Sequence, residues 1–384
     1  MGRSGNFVTQ LKGYKAFIPT ALPPNPSIKQ DEELIYLLDQ ATLAVGKLAG
    51  LSAIIPDPDL FVYLYVRKEA LLSSQIEGTQ CSLEDILNPE AEPISEKTTP
   101  QDIEEVSNYV KAMNKGLERL ETLPVSTRLI KEMHSTLMKG VRGSNKTPGE
   151  FRKSQNWIGR PGGNLTNAEF IPPPPDDVDQ CMSDLEKFIH TNDRMPFLIK
   201  VALIHAQFET IHPFLDGNGR LGRLLITYLL CLWKILDKPL LYLSYFFKAN
   251  RTEYYAKLMD VRLRGDWESW IKFFLHGVRE SSEMATVAAT EIHKLHIKDR
   301  SKIQNSSPTS VTILVYDHFC REPILTNLIL VKRLKSSAPT IQKALDVLVD
   351  LEIITEISGK KRHRKYAYTT YLDILTRDTT VKVG

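Results

Sequence analysis

The chain has 384 residues, more than one compact core usually accommodates, so two or three domains are expected. Hydrophobic residues make up 42% and charged residues 25%, ordinary globular usage that excludes a largely disordered chain, and 20 Gly with 22 Pro exclude a collagen-like one. The formal charge of +3 does not by itself mark a nucleic-acid binder, yet it is uneven: residues 300–384 hold 14 Lys and Arg against 8 Asp and Glu, and the rest of the chain 35 against 38.

Helical periodicity dominates as far as about residue 300. Asp31 is placed to cap a helix running to Leu48, and Pro58–Ile76 reads as a second helix closed by Gly78. Asp102–Leu120 and Ser126–Lys139 follow, punctuated by Pro124 and Gly140. Gly143–Pro175 then loses the helical period; a run of that length inside a compact domain is usually functional. Two short extended pieces, Asn156–Ile158 and Glu169–Ile171, flank an Arg160–Asn167 turn and predict a small β-hairpin flap. Helices resume at Asp176–Ile189. In the next one Phe197, Val201, Ile204 and Phe208 define one buried face. The most apolar helix, Gly219–Ile235, comes after a break at His212–Asn218, and amphipathic helices are expected at Thr252–Leu263 and Asp266–Ala288.

Asp299–Pro308 is polar and reads as a linker. Beyond it Thr309–Cys320, Leu325–Leu334 and Thr340–Leu351 precede two alternating strands, Ile353–Ile357 and Lys365–Thr369. Helices followed by a basic hairpin describe a winged helix-turn-helix. The expected fold is mainly α, with an N-terminal helical cap over 1–100, a helical core with its flap over 101–298, a linker over 299–308 and the winged unit over 309–384. Cys81, Cys181, Cys231 and Cys320 form no CxxC pair, which argues against a zinc site and for reduced thiols in a cytoplasmic protein. Met1-Gly2 carries no myristoylation signal, because Asn6 stands where Ser or Thr is needed. The longest apolar run, Leu224–Trp233, is too short to span a bilayer, so no membrane partner is expected.

The chemistry is concentrated in His212–Arg223, HPFLDGNGRLGR. Gly217, Asn218 and Gly219 allow a tight turn into a helix whose first amides and positive dipole end suit a phosphate. Arg220 and Arg223 fall at i and i+3, a cationic pair where the dipole alone disfavours cations but a polyphosphate would favour them. Asp216 is a hard oxygen donor suited to Mg²⁺ alongside substrate phosphates. His212, held by Pro213, can act as a base near neutral pH. The glycines formally match the dinucleotide pattern GxGxxG, but Pro213 interrupts any preceding strand and no βαβ unit surrounds them; a Walker A loop is absent as well.

HPFLDGNGRLGR resembles the Fic signature HPFx(D/N)GNGRxxR at every specified position, with the likeness running over roughly residues 60–280. The resemblance implies a helical domain that transfers AMP from ATP to a hydroxyl side chain of a target protein, or of the enzyme itself. By that likeness His212 would deprotonate the hydroxyl and Asp216 would hold Mg²⁺. Backbone amides of Gly217, Asn218 and Gly219 would form the anion hole, Arg220 would take the γ-phosphate and Arg223 the β-phosphate. Phe214 would anchor the loop in the core, and Tyr254 and Tyr255 are the candidates for adenine. SSQIEG, Ser73–Gly78, resembles the family's inhibitory motif (S/T)xxxE(G/N), with Glu77 expected to pair with Arg220 and exclude a correctly seated triphosphate. Relatives that remove AMP or transfer other phosphate-containing groups leave those reactions open. Family members are often dimers, so a homodimer is expected. A second reading makes the chain a DNA-binding regulator, through the 338–351 helix and the basic tip Gly359–Lys365 within residues 338–365.

Overall fold

The computed structural model describes residues 2–52, 58–87, 98–159, 162–360 and 364–377. Its N-terminus is not purely helical, as the cap expectation had it. β1 (Gly5–Thr9) and β2 (Lys15–Pro19) form an antiparallel hairpin with Phe7 opposite Phe17. The hairpin is held from outside. Phe17 N–H donates to the Ile171 carbonyl at 2.9 Å, and Phe7, Phe17 and Phe170 pack ring on ring. Such short strands need this partner to persist, because an isolated hairpin is only marginally stable in water.

α1 (Glu32–Ser52) is capped by Asp31, whose carboxylate accepts the Leu34 amide. Its stretch Glu32–Leu51 has a mean hydropathy of 1.3, long and apolar enough by composition to cross a membrane, and in this fold it lies along α11 (Trp267–Asn305). Between them in sequence come α2 (Pro58–Ile76), the short α3 (Leu83–Leu87), α4 (Pro100–Leu120) and α5 (Thr127–Leu137). Thr99 and Asp102 close a reciprocal capping box, so α4 starts two residues before the expected Asp102. α6 (Pro175–His190), α7 (Phe197–Ile211), α8 (Asn218–Leu232), α9 (Ser244–Ala249) and α10 (Arg251–Arg264) complete the core.

The two helices that flank the glycine turn are the most deeply set. In α7 every residue from Leu198 to Ile211 is buried, which replaces the single apolar face expected there. Phe197, expected in that face, is 53% exposed and stacks on Trp233 instead. The flap reduces to one antiparallel bridge, Ile158 with Phe170; Arg160 and Pro161 of its expected turn lie outside the described residues.

The expected linker is helical. α11 runs unbroken through Asn305, and Asp299 is buried within it, accepting the Tyr368 hydroxyl at 2.6 Å. Then follow α12 (Ser310–Arg321), β3 (Ile324–Thr326), α13 (Asn327–Leu334), α14 (Ala338–Asp350), β4 (Thr355–Glu356), β5 (Lys365–Ala367) and α15 (Thr369–Thr376). The strands make one antiparallel sheet in the order β3-β5-β4, the arrangement of a winged helix. Lys361, Arg362 and His363 at the wing tip lie outside the described residues.

Candidate active site

The loop between α7 and α8 is held by side chains chosen for that task. His212 ends α7 in the left-handed region, φ 49°, with its amide on the Phe208 carbonyl. Phe214 is fully buried and stacks on His134, ring centroids 3.7 Å apart. Asn218 clamps the turn: its Oδ1 accepts the Phe214 amide at 2.9 Å and its Nδ2 donates to the Phe214 carbonyl at 2.8 Å. Asn156 Nδ2 donates to both the His212 and Phe214 carbonyls, and Arg152 Nε donates to the His212 carbonyl at 3.0 Å. Gly217 has φ 77°, and a Cβ there would lie 2.6 Å from Met138 Sδ, so glycine is required twice over. Asp216 Oδ1 accepts the Gly217 amide; past it, no side chain caps α8. The helix therefore presents its first-turn amides, at Asn218, Gly219 and Arg220, toward the site.

Both arginines are buried beside that helix end. Arg223 donates to Glu77 Oε1 at 2.7 Å, to Ser73 Oγ at 2.8 Å and to the Ser73 carbonyl at 2.9 Å. This corrects the expected partner of Glu77, which was Arg220. Arg220 instead faces Glu105 Oε2 at 3.5 Å and Asp216 Oδ1 at 3.8 Å. The reason is angular: three residues of helix rotate a side chain by about 300°, so the two arginines diverge by about 60° and meet different elements. Glu77 sits so close to the helix end that a Cβ on Gly219 would lie 2.3 Å from its Oε1. Burial works to raise the Glu77 carboxyl, but the Arg223 charge and hydrogen bond, with Arg220 behind them, hold it below its ordinary range. The carboxylate thus occupies an anion position. Among the described residues, Arg220 Nε and Nη1 and Arg223 Nη1 are buried with no hydrogen-bond acceptor, a costly arrangement unless a ligand oxygen is to fill it.

His212 is half-buried, and burial first, then the charges of Arg262 and Arg152, push its imidazole down to about 3. It is neutral at physiological pH and able to accept a proton. Asp216 is 30% exposed, and its Oδ2 accepts Lys146 Nζ at 3.1 Å. A part-exposed carboxylate beside guanidinium nitrogens that lack acceptors fits a magnesium bound together with substrate phosphates. Tyr254 is corrected from adenine contact to core: it is 1% exposed, stacks on Phe247 at 4.4 Å and hydrogen-bonds His205 Nε2 at 2.8 Å. Tyr255 is 37% exposed and remains on the rim, where the charges of Glu77 and Arg223 act on its phenol.

Four site residues carry no sequence signal of their own. His134 accepts the Gly149 amide at Nδ1 and so donates from Nε2 to the Asp216 carbonyl, 2.9 Å away. Burial pushes its ring down to about 4, as that neutral tautomer requires. Arg152 and Asn156 lie in the irregular 143–175 run, and only the length of that run and, for Asn156, its place in the expected flap strand point to them. Glu105 lies in an ordinary amphipathic helix.

Comparison with known proteins gives family and fold likenesses. The Fic/DOC family N-terminal domain matches residues 35–118, and the Fic/DOC family domain residues 124–230. A probable protein adenylyltransferase of Aquifex aeolicus is 25% identical over 293 residues, covering 75% of this chain and 77% of that protein. The protein adenylyltransferase Fic of Aedes aegypti is 30% identical over 148 residues, 38% of this chain but only 26% of that longer protein. Among solved structures, a Fic family protein from Desulfovibrio desulfuricans superposes with a TM-score of 0.57 at 22% identity, covering 89% of this chain and 97% of that one. A Fic domain containing signaling protein from Bacteroides thetaiotaomicron gives 0.50 at 17% identity, covering 66% and 97%. At these identities the two structures speak for the fold.

Proposed function

Because the chain belongs to the Fic family, we propose that it is a protein adenylyltransferase that moves AMP from ATP to a Ser, Thr or Tyr hydroxyl, held at rest by Glu77. One observation carries the reading: buried, acceptorless guanidinium nitrogens of Arg220 and Arg223 surround an uncapped helix end already occupied by a carboxylate. That is a site built for anionic oxygens and filled by a substitute.

The neutral imidazole of His212 takes the proton of the incoming hydroxyl. The hydroxyl oxygen bonds to the α-phosphorus as the bond from that phosphorus to the bridging oxygen breaks, and pyrophosphate leaves. The α8 amides and the two arginines stabilise the charge that gathers on the phosphate oxygens. Asp216 is the residue that would hold Mg²⁺, which neutralises phosphate charge when bound. Lys146 now neutralises that carboxylate, at 3.1 Å from its Oδ2. General-base action supplies roughly 10²–10⁴-fold, so positioning and charge account for the larger share.

Glu77 inhibits by competition. While it holds Arg223, the phosphate meant for that guanidinium has no seat. The pair is buried on the arginine side and 31% exposed on the glutamate side, so it lies between the weak exposed pairs and the strong buried ones. Glu77→Gly is expected to raise self-modification by Mg·ATP by about tenfold or more. Intact-mass spectrometry checks it, with a gain of AMP rather than phosphate. His212→Ala in that background is expected to abolish the gain; full retention would remove His212 as the base.

For the winged unit, DNA remains the second reading. Exposed Lys343 on α14 and Lys360 and Arg364 beside the wing support it, while Asp346 and Asp350 on the exposed side of α14 weigh against it. Salt-dependent retention of the full chain on duplex DNA tests it, and no retention at low salt would reject it.

A further inference from the structure

A helix that ends in the middle of a core leaves its last carbonyls without partners, and α7 ends on the base itself. Two arginines from elsewhere take them up. Arg152 reaches the Ile211 and His212 carbonyls, at 3.4 and 3.0 Å. Arg262, from the far end of α10, donates from Nη2 to the Glu209 carbonyl at 2.9 Å and from Nε to Thr210 Oγ1 at 3.3 Å. That hydroxyl in turn donates to the Ala206 carbonyl, so the guanidinium grips two consecutive turns of α7. Arg262 is only 6% exposed, and its Cζ lies 4.5 Å from the ring centroid of Phe170, the flap residue bridged to Ile158. The same side chain therefore touches the last turn before the base and the back of the flap.

We propose that Arg262 is a positioning residue, which fixes the α7 terminus that aims His212 and seats the flap against it through Phe170. The assignment rests on the base role given to His212 above. The Glu209 carbonyl needs a donor at this helix end, but a full guanidinium is more than that need requires. The α10–α7 junction is already bolted by the Tyr254–His205 hydrogen bond. A guanidinium at this point adds a cation at a helix C-terminus, which the dipole favours, and a flat cationic face for an aromatic ring. It also acts on His212 through space. The charged groups that bear on that imidazole are Arg262 from α10, Arg152 from the loop before the flap and Glu77 from the end of α2, together with the Glu209 backbone of α7 itself. The two arginines favour the neutral ring, and Glu77 favours the protonated one.

The test uses the full chain with Glu77→Gly, comparing Arg262→Gln and Arg262→Lys, each checked for folding by thermal melting. Histidine-selective NMR follows the His212 ring, assigned with His212→Asn, and intact-mass kinetics follow self-modification by Mg·ATP against pH. Removing the charge should let His212 protonate at higher pH, so both its titration and the acid limb of the rate profile move upward by about half a unit or more in Arg262→Gln. The rate on the neutral plateau should fall about tenfold as the base loses its aim. Arg262→Lys keeps the charge without the two-pronged grip, so its titration should stay near the parent's while its plateau rate falls. An Arg262→Gln protein that melts like the parent and keeps both the His212 titration and the plateau rate overturns the proposal; so does an Arg262→Lys protein with the parent's full rate. The titration needs no turnover. A parent without AMP transfer would therefore sink the adenylyltransferase reading and still leave Arg262 to be judged.

Discussion

Glu209 sits three residues before His212 in the last turn of α7, 6% exposed, and its Oε1 has no hydrogen-bond partner among the described residues. It faces α8 so closely that a Cβ on Gly222 would lie 2.4 Å from that oxygen. Burial pushes its carboxyl up to about 7, against the pull of Arg223 and Arg262. The folded state therefore holds a proton that the unfolded state has lost between roughly pH 4.5 and 7. The stability tied to this group is complete at the acid side of that window and drains away as pH rises through it. Glu209→Gln cannot ionise and should escape the loss. It is expected to match the parent near pH 4.5 and to exceed it at pH 8 by an amount on the order of 3 kcal/mol at most, read from urea midpoints. Equal effects at both pH values would show that the carboxyl does not change charge in that range. Glu69, buried and likewise pushed up to about 7, keeps part of the same slope in the variant.

The C-terminal end of α2 is anchored independently of Glu77. Thr79 Oγ1 donates to Glu105 Oε2 at 2.7 Å, and that same oxygen faces Arg220. Lys248 donates to Gln75 Oε1 at 2.7 Å, and Gln75 Nε2 to the Cys81 carbonyl at 2.8 Å. Thr79→Val removes a buried hydrogen bond and should cost about 1–3 kcal/mol. It should also raise self-modification, by less than Glu77→Gly does, since the carboxylate remains but its helix end is looser. Unchanged self-modification would mean that the turn after Gly78 plays no part in restraint. The Ser73, Glu77, Gly78 pattern is legible because it is a fixed spacing across the end of one helix and the turn after it. Its partner is not, because spacing along α8 does not reveal which neighbour each arginine meets. The N-terminal hairpin was missed for a related reason: GNFVT and KAFIP are stabilised by Ile171 and Phe170, more than 150 positions away in the chain.

Across the molecule, one helix decides how the parts are joined. Asp299–Pro308 reads as a linker by composition, yet DRSKIQN holds no glycine or proline, and its Arg300, Lys302 and Gln304 are good helix formers. Three contacts tie this stretch to the winged unit: Tyr368 to Asp299 at 2.6 Å, Arg300 to Asp317 at 2.7 Å, and Lys302 to the Leu351 carbonyl at 3.0 Å. The winged unit also meets the inhibitory helix. α12 packs on α2, and the Glu322–Arg333 ion pair lies close enough to act on the Tyr63 phenol. A rigid α11 and this second seam predict that core and winged unit melt together. Asp299→Ala removes the short charged acceptor of the buried Tyr368 hydroxyl and leaves it only the Tyr316 hydroxyl at 3.4 Å, which should destabilise the whole chain by about 1–3 kcal/mol. Scanning calorimetry should show a single transition in the parent and a lower single transition in the variant. Were residues 299–308 a free tether, the core would melt at the parent's temperature and the winged unit would separate from it below, since a loop transmits no such penalty to the helices behind it.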